Sequence, residues 1–290
     1  MPLTRLTLPH PADTYLETLQ ATSRLAANSA HVEAARLRTY TQVHPDAATQ
    51  PTPQHIDTWL RNIAHDKPTT RRSTTGAVRR YLQWLHATRN TPDLTHLIPK
   101  VREPKRAPRA LSRPDADHLL AAPDHPRTRC ELALMVACGL RCVEVARLQI
   151  ADIDVASGTL ICRGKGGDER PVPLPAVAAK AVTAWLDVRG WHAGPLIVSL
   201  RTNRLKPVTA RTISRHVARR MAALGLHEPG DRRTAHALRH TAAADLLDHS
   251  GDLRSVQALL GHRSLATTEI YLPRAETGPM REALDRRWAA

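Results

Sequence analysis

The chain has 290 residues, with 42 Lys plus Arg against 27 Asp plus Glu, a formal charge of +15 and a sequence pI of about 10.7. That length allows two domains with separate cores and excludes a single disulfide-stapled module, while the charge makes a phosphate-rich partner the first expectation. The excess is shared, with 16 basic and 8 acidic residues in 1–110 and 26 and 19 in 111–290, so it is not a basic tail on a neutral domain. The longest nearly unbroken apolar run, Leu132 to Leu140, falls well short of the roughly 18 residues a membrane span needs. The start, Met1-Pro2-Leu3-Thr4-Arg5, leads into polar sequence instead of a secretory signal, so the expectation is a cytoplasmic protein without a membrane partner. Cys130, Cys138, Cys142 and Cys162 form no Cys-x-x-Cys pair and read as small reduced core residues rather than a zinc or disulfide site.

From Thr14 to Ala87 apolar residues recur at three- and four-residue steps, as in Ile56, Trp59, Leu60, Ile63 and then Val78, Tyr81, Leu82, Leu85, which predicts an all-helical domain over 1–98. Thr52-Pro53 supplies a cap and an early proline for one helix, and Lys67-Pro68 breaks the chain before the next. Periodicity fades from residue 91, and residues 99–110 read as a basic, proline-containing linker that includes Lys100, Lys105 and Arg106. Ser112 and Pro114 look like a fresh helix start, so a second domain is expected over 111–290. Within it, helical pattern spans Arg129–Gly139 and Val143–Leu148, and Asp152-Ile153-Asp154 turns the chain. Thr159–Arg163 and Arg170–Leu174 read as two strands around Gly164-Lys165-Gly166-Gly167-Asp168, and helical pattern resumes at Ala176 and continues to the C-terminus with interruptions around Pro195, Pro207 and Pro229. The fold class is therefore mainly α with a small β-sheet.

The densest chemistry lies in His236-Ala237-Leu238-Arg239-His240-Thr241. On a helix His236, Arg239 and His240 fall at i, i+3 and i+4 and share a face. Gly251 and Gly261 suit left-handed helix ends, which puts His262 just past a helix terminus with Tyr271 nine residues beyond. His236 and His240 at this spacing are also a possible zinc pair, but there is no His-Glu-x-x-His, and Arg239 between them would repel a cation. Gly164-Lys165-Gly166-Gly167 lacks the Gly-x-x-x-x-Gly-Lys-Ser/Thr of a phosphate loop and reads by itself as a turn. Glu144 is expected to orient Arg141 through a salt bridge, and Asp152 to be structural.

The pattern resembles the tyrosine recombinases, the phage integrase family. Cys138-Gly139-Leu140-Arg141-Cys142-Val143-Glu144 is similar to the family's first-arginine motif, and Gly164-Lys165-Gly166 before Arg170-Pro171-Val172-Pro173-Leu174 to its catalytic-lysine hairpin. His236 to Thr241, Leu259-Leu260-Gly261-His262 and Thr267-Thr268-Glu269-Ile270-Tyr271 resemble the remaining motifs, in the same order. The resemblance is strong over 111–272; over 14–98 it is to the helical core-binding domain and rests on helix pattern. It implies a C-shaped clamp of two domains on double-stranded DNA, cutting and rejoining through a covalent 3′-phosphotyrosyl link.

In that reading Tyr271 attacks phosphorus. A free phenol is ionised in only about one molecule in 10³ at pH 7, a deficit of about 4 kcal/mol, so a base must take its proton, and His236 is the candidate. Arg141 and Arg239 would clamp the non-bridging oxygens, worth about 3–4 kcal/mol each by analogy with oxyanion-hole donors. Lys165 would protonate the departing 5′-oxygen and His262 would hydrogen-bond the phosphate. The resemblance implies neither metal nor ATP, because the arginines supply the positive charge and the phosphotyrosyl bond retains the energy of the broken diester. It also implies a homo-tetramer at synapsis, with the amphipathic tail Met280–Trp288 docked on a neighbouring copy. With no domain before residue 14, arm-type DNA binding is not expected.

Arg71, Arg72, Arg79 and Arg80, with Thr69, Thr70, Thr74 and Thr75 beside them, form either a solvated helix face or a phosphate-binding one. Cys138 and Cys142 stand where the family more often has threonine and other residues, and Pro273 where Thr-His is common, which would stiffen the tyrosine segment. Two rival readings stay open: a type IB topoisomerase, and a catalytically idle DNA-binding factor.

Overall fold

Side-chain caps open several helices where the sequence placed their starts. In the computed structural model, described for residues 8–22, 27–101, 110–122, 124–164, 169–200, 205–227 and 235–261, the chain divides into two units, Met1–Lys105 and Arg106–Ala290. In the first, α1 (Ala12–Ala21) and α2 (Ala27–Thr41) precede α3 (Pro53–Asn62), where Thr52 Oγ1 accepts the His55 N–H at 3.2 Å. Next comes α4 (Pro68–Arg89), begun by Pro68 after Lys67 and ended by Asn90 in the left-handed region.

The core of this unit is built from aromatic residues at the predicted helical spacing. Trp59, Ile56, Tyr81, Val78, Leu82 and Leu85 are buried with Leu37 and Tyr40. The Tyr40 and Trp59 rings meet edge to face at 5.6 Å, and Tyr81 donates its hydroxyl proton to the Ala48 carbonyl at 2.6 Å. Residues 91–98, where periodicity fades, still belong to this core: Leu94 and Ile98 are buried against it around a short 3₁₀ turn at Thr95–Leu97. The two units part at Lys105–Arg106, within the segment read as a linker.

In the second unit Ser112 Oγ accepts the Asp115 N–H at the start of α5 (Arg113–Ala121). The helix expected from Arg129 is α6 (Pro126–Val136), which starts a turn earlier because His125 Nδ1 accepts the Arg127 N–H and Pro126 occupies the first turn. Every residue from Cys130 to Val136 is buried, as befits a central helix covered on several sides. Then follow α7 (Cys142–Arg147), the strands β1 (Ile153–Asp154), β2 (Thr159–Arg163) and β3 (Glu169–Pro173), and α8 (Ala176–Arg189). The last described helices are α9 (Ala210–Ala223), α10 (Ala235–Ser250) and α11 (Leu253–Leu260). Helices α5, α7, α8, α9 and α10 pack on α6, and α11 packs on α10.

The sheet is antiparallel in the order β1-β2-β3, with Leu160 opposite Val172 and Cys162 opposite Arg170. Its first strand has two residues, too short to leave a periodic signal. The helical pattern after Ala176 is interrupted around Pro195 and Pro207, as expected: residues 190–200 and 205–209 are non-helical, and Leu196, Ile197 and Val198 enter the core there. Among the described residues no helix is long and apolar enough to cross a membrane.

Trp185 on α8 is buried, and its indole N–H donates to the Leu196 carbonyl at 2.9 Å. Replacing it by phenylalanine keeps most of the packing but strands that carbonyl. Urea unfolding is expected to show a loss of about 1–2 kcal/mol for Trp185→Phe and about 3–5 kcal/mol for Trp185→Ala.

Candidate active site

The turn between α6 and α7 builds the first part of the site. Helix α6 stops at Val136, Gly139 reverses the chain at φ +64°, and Arg141 is the extended N-cap of α7. Glu144, at the third position of that helix, accepts the Arg141 backbone N–H at 2.8 Å through one carboxylate oxygen and the Arg141 guanidinium at 2.9 Å through the other. Arg170 reaches the same carboxylate from β3, with contacts of 3.1 and 3.3 Å, and Arg239 on α10 stands 3.5 Å away. Three guanidinium groups therefore surround one carboxylate. Side-chain exposure grades outward, from 4% at Glu144 and Arg239 through 16% at Arg170 to 34% at Arg141. Burial alone would raise the Glu144 pKa, but hydrogen bonds from Arg170 and the Arg141 N–H, with the charges of Arg170 and Arg239, hold the carboxyl below its usual range.

Arg239 also donates to the carbonyls of Gly139 and Leu260, so one buried side chain ties the turn before Arg141 to the end of α11. His236 lies one turn earlier on α10 and, taken as a whole residue, is exposed, and His240 one residue after Arg239 is partly buried. Desolvation, then the charges of Arg239 and Arg141, keep His236 below the ordinary histidine pKa; desolvation, His236 and Arg239 do the same for His240. Helix α11 ends at Gly261 with φ +60°, and a Cβ there would come within 3.0–3.1 Å of the Arg170 side chain, so glycine serves both the left-handed backbone and the close approach.

The structure thus brings Arg141 and Arg239 together around Glu144, with His236 close enough to both for their charges to lower its pKa. Lys165, His262 and Tyr271 lie outside the described residues, as do Lys105, Arg106, Pro273 and the tail from Met280 to Trp288. Glu144 orients Arg141 as expected, and Asp152 is structural, buried against Arg163 while accepting the Gln149 N–H at 2.8 Å. Sequence reasoning gave Arg170 and Thr241 no role. Arg170 was legible as a charge on the inward face of its strand, since it pairs with buried Cys162 two residues before buried Val172. Thr241 accepts the Leu111 N–H at 2.9 Å, a partner 130 positions away that no local pattern announces.

In the helical unit the four candidate arginines separate. Arg80 pairs with buried Glu33 at 2.6 Å, and Arg79 donates to the Ile98 carbonyl at 2.7 Å, so both are engaged in holding the unit together. Arg71 donates to the Ala64 carbonyl at 2.9 Å, while Arg72 and Lys100 are exposed. Thr74 and Thr75, considered as phosphate donors, face the core instead, because they share a helix face with Val78 and Leu82. Thr69 and Thr70 are exposed.

Cys130, Cys138 and Cys162 are buried, Cys142 is partly so, and all four are free thiols. Burial pushes Cys138 up to about 12 and Cys142 and Cys162 up to about 11, which leaves them as unreactive thiols. Among the described residues no cluster of His, Cys, Asp and Glu could hold a metal ion.

The profile of the phage integrase family matches residues 109–277. The chain is 37% identical over 229 residues to the tyrosine recombinase XerC of Rhodospirillum centenum, covering 73% of this chain and 65% of the relative, just under two thirds of its length. It is 32% identical over 239 residues to XerD of Yersinia pestis, covering 79% of each. Among solved structures, a lambda integrase (75–356) dimer bound to a COC′ core site has a TM-score of 0.74 at 20% identity, covering 92% of this chain and 95% of that one. The XerH recombinase bound to its difH substrate before cleavage has 0.70 at 21%, covering 93% and 83%. These two share the fold.

Removing the carboxylate leaves buried Arg239 uncompensated, so Glu144→Gln is expected to cost about 3–5 kcal/mol in urea unfolding at pH 7. Because the folded pKa of Glu144 is depressed, its contribution is complete above the ordinary 4.5 and is lost as pH falls through the lower folded value. The difference between parent and variant should therefore persist at pH 5 and shrink at more acidic pH; a difference that vanishes already at pH 6 would contradict this assignment.

Proposed function

Because the chain belongs to the phage integrase family of tyrosine recombinases, we propose that it is a site-specific DNA recombinase that cuts and rejoins double-stranded DNA through a covalent 3′-phosphotyrosyl intermediate, with neither metal nor ATP. The observation that carries this reading is the single carboxylate of Glu144 among three guanidinium groups. One negative charge leaves a surplus of two positive ones, and the outermost guanidinium, that of Arg141, is open to solvent. A phosphodiester in flight through a pentacoordinate transition state carries the charge that this surplus would neutralise.

In the proposed reaction the Tyr271 phenol oxygen attacks phosphorus and the 5′-oxygen leaves. His236, its pKa lowered by desolvation and by its cationic neighbours, is neutral at pH 7 and takes the phenol proton. Arg141 and Arg239 hold the non-bridging oxygens. Arg239 is fixed by two main-chain carbonyls, and the Arg141 side chain by Glu144. Lys165 gives its proton to the leaving 5′-oxygen, and His262 donates to the phosphate. Reversal by a different 5′-hydroxyl joins new partners, which is recombination instead of hydrolysis. Exchange between two sites needs an active site for each strand cut, hence four copies at synapsis.

A nicked suicide substrate tests this. The parent chain is expected to form a denaturant-resistant adduct in EDTA, and Tyr271→Phe to bind the same DNA, assemble on paired sites with the mass of four protomers, and form none. An adduct in the phenylalanine variant, or loss of activity in chelator, overturns the mechanism; relaxation of supercoiled DNA with paired sites and no exchanged product would favour the topoisomerase reading.

The helical unit is assigned to DNA backbone binding, through exposed Arg72 and Lys100 and through Arg71, which spends one guanidinium nitrogen on the Ala64 carbonyl, more than through Arg79 and Arg80, which hold segments of the unit together. Binding measured against salt is expected to lose slope by roughly 0.9 for each phosphate contact removed, so the double change Arg71→Ala with Arg72→Ala should flatten it by up to about 2. Arg80→Ala should leave the slope near that of the parent and lower stability, because buried Glu33 loses a partner.

A further inference from the structure

We infer that Arg170 is a positioning residue for DNA cleavage: by bridging β3 to the Glu144 carboxylate and to the end of α11, it sets the lysine hairpin in register with the arginine pair. The inference rests on the reading of Lys165 as the acid that protonates the leaving 5′-oxygen.

Each nitrogen of the Arg170 guanidinium donates within the protein. Nη1 and Nη2 face the two oxygens of Glu144 at 3.1 and 3.3 Å, and Nε donates to the Leu259 carbonyl at 3.2 Å. The group is spent on the scaffold, so it acts through its neighbours and not on the phosphate. A planar fork with a third donor at its side meets this arrangement; the point charge of lysine would satisfy only part of it. The tight seat at Gly261 points the same way, since any side chain there would push into Arg170.

The consequence follows from chain order. Lys165 stands between Arg163, the last residue of β2, and Glu169, the first of β3. Arg163 is anchored to buried Asp152 and pairs with Glu169 at 2.9 Å, and Arg170 is anchored to Glu144. Both legs of the hairpin are thus pinned by ion pairs, and the pin on the second leg is the carboxylate that orients Arg141 and neighbours Arg239. An acid must sit within hydrogen-bond reach of the oxygen it protonates, and displacement by about 1 Å costs about 10²-fold. Arg170 therefore couples the acid to the phosphate clamp.

A substrate with sulfur in place of the leaving 5′-oxygen separates this role from general support of the fold. When the tyrosine O–P bond forms and the P–S bond breaks, the sulfur departs with the electron pair as a thiolate, whose conjugate acid has a pKa of about 8.5, and needs no proton from the enzyme. Single-turnover cleavage of both substrates is measured for the parent, Lys165→Ala, Arg170→Lys and Arg170→Gln, below the melting transition of each and with DNA saturating. On the oxygen substrate all three variants are expected to be slowed by about 10²-fold or more; on the sulfur substrate they should come within about tenfold of the parent. Arg170 variants slowed equally on both substrates, while Lys165→Ala recovers on sulfur, would overturn the positioning role and leave the lysine reading standing. Arg170 variants that cleave the oxygen substrate at the parental rate would overturn it as well. If Lys165→Ala fails to recover on sulfur, the acid reading falls and takes this inference with it.

Discussion

The carboxylate of Glu144 is the point on which the site is organised. Arg141 arrives at it from a helix N-terminus, Arg170 from a strand and Arg239 from a second helix, and three guanidinium groups could not be held so close without a buried anion between them. Its depressed pKa keeps it ionised at every pH where the protein would work. One carboxylate is also too few for neutrality. Desolvation, with the positive charge around it, depresses the nearby histidines, and the surplus charge is what the proposed phosphate clamp would draw on.

Burial decides which members of the cluster serve the fold and which face solvent. Arg239 is nearly inaccessible and divides its donors between two main-chain carbonyls, so it closes the turn after α6 against the end of α11. Arg141 is the most open of the three. The gradient places rigid electrostatics behind a reachable head group, which is the preorganisation that transition-state stabilisation requires. The surrounding thiols add no competing nucleophile, because burial keeps them protonated.

The formal charge of +15 is not a uniform coat. In the helical unit Arg80 balances buried Glu33, and Arg79 caps the carbonyls of the segment after α4. In the second unit Arg127 pairs with buried Glu131, itself bonded to His216, and Arg163 with Asp152. Part of the basic excess is therefore internal cement, and only the remainder is available to a nucleic-acid backbone.

Local pattern was enough for the caps at Thr52 and Ser112, the spacing of Trp59 and Tyr81, the two longer strands and the order of the motifs, because each depends on residues a few positions apart. It failed where burial came from several directions. Helix α10 is covered by α5, α6, α9 and α11, so His236, Arg239 and His240 share a face in sequence terms while Arg239 alone turns inward. The two-residue strand β1, the burial of Leu196–Val198 and the bond from Leu111 to Thr241 were likewise beyond periodicity. Residue types and their order determined what chemistry this chain can carry. Which arginines share Glu144, and therefore how that chemistry is held, depended on contacts between segments up to 100 residues apart, a distance over which only the folded chain has information.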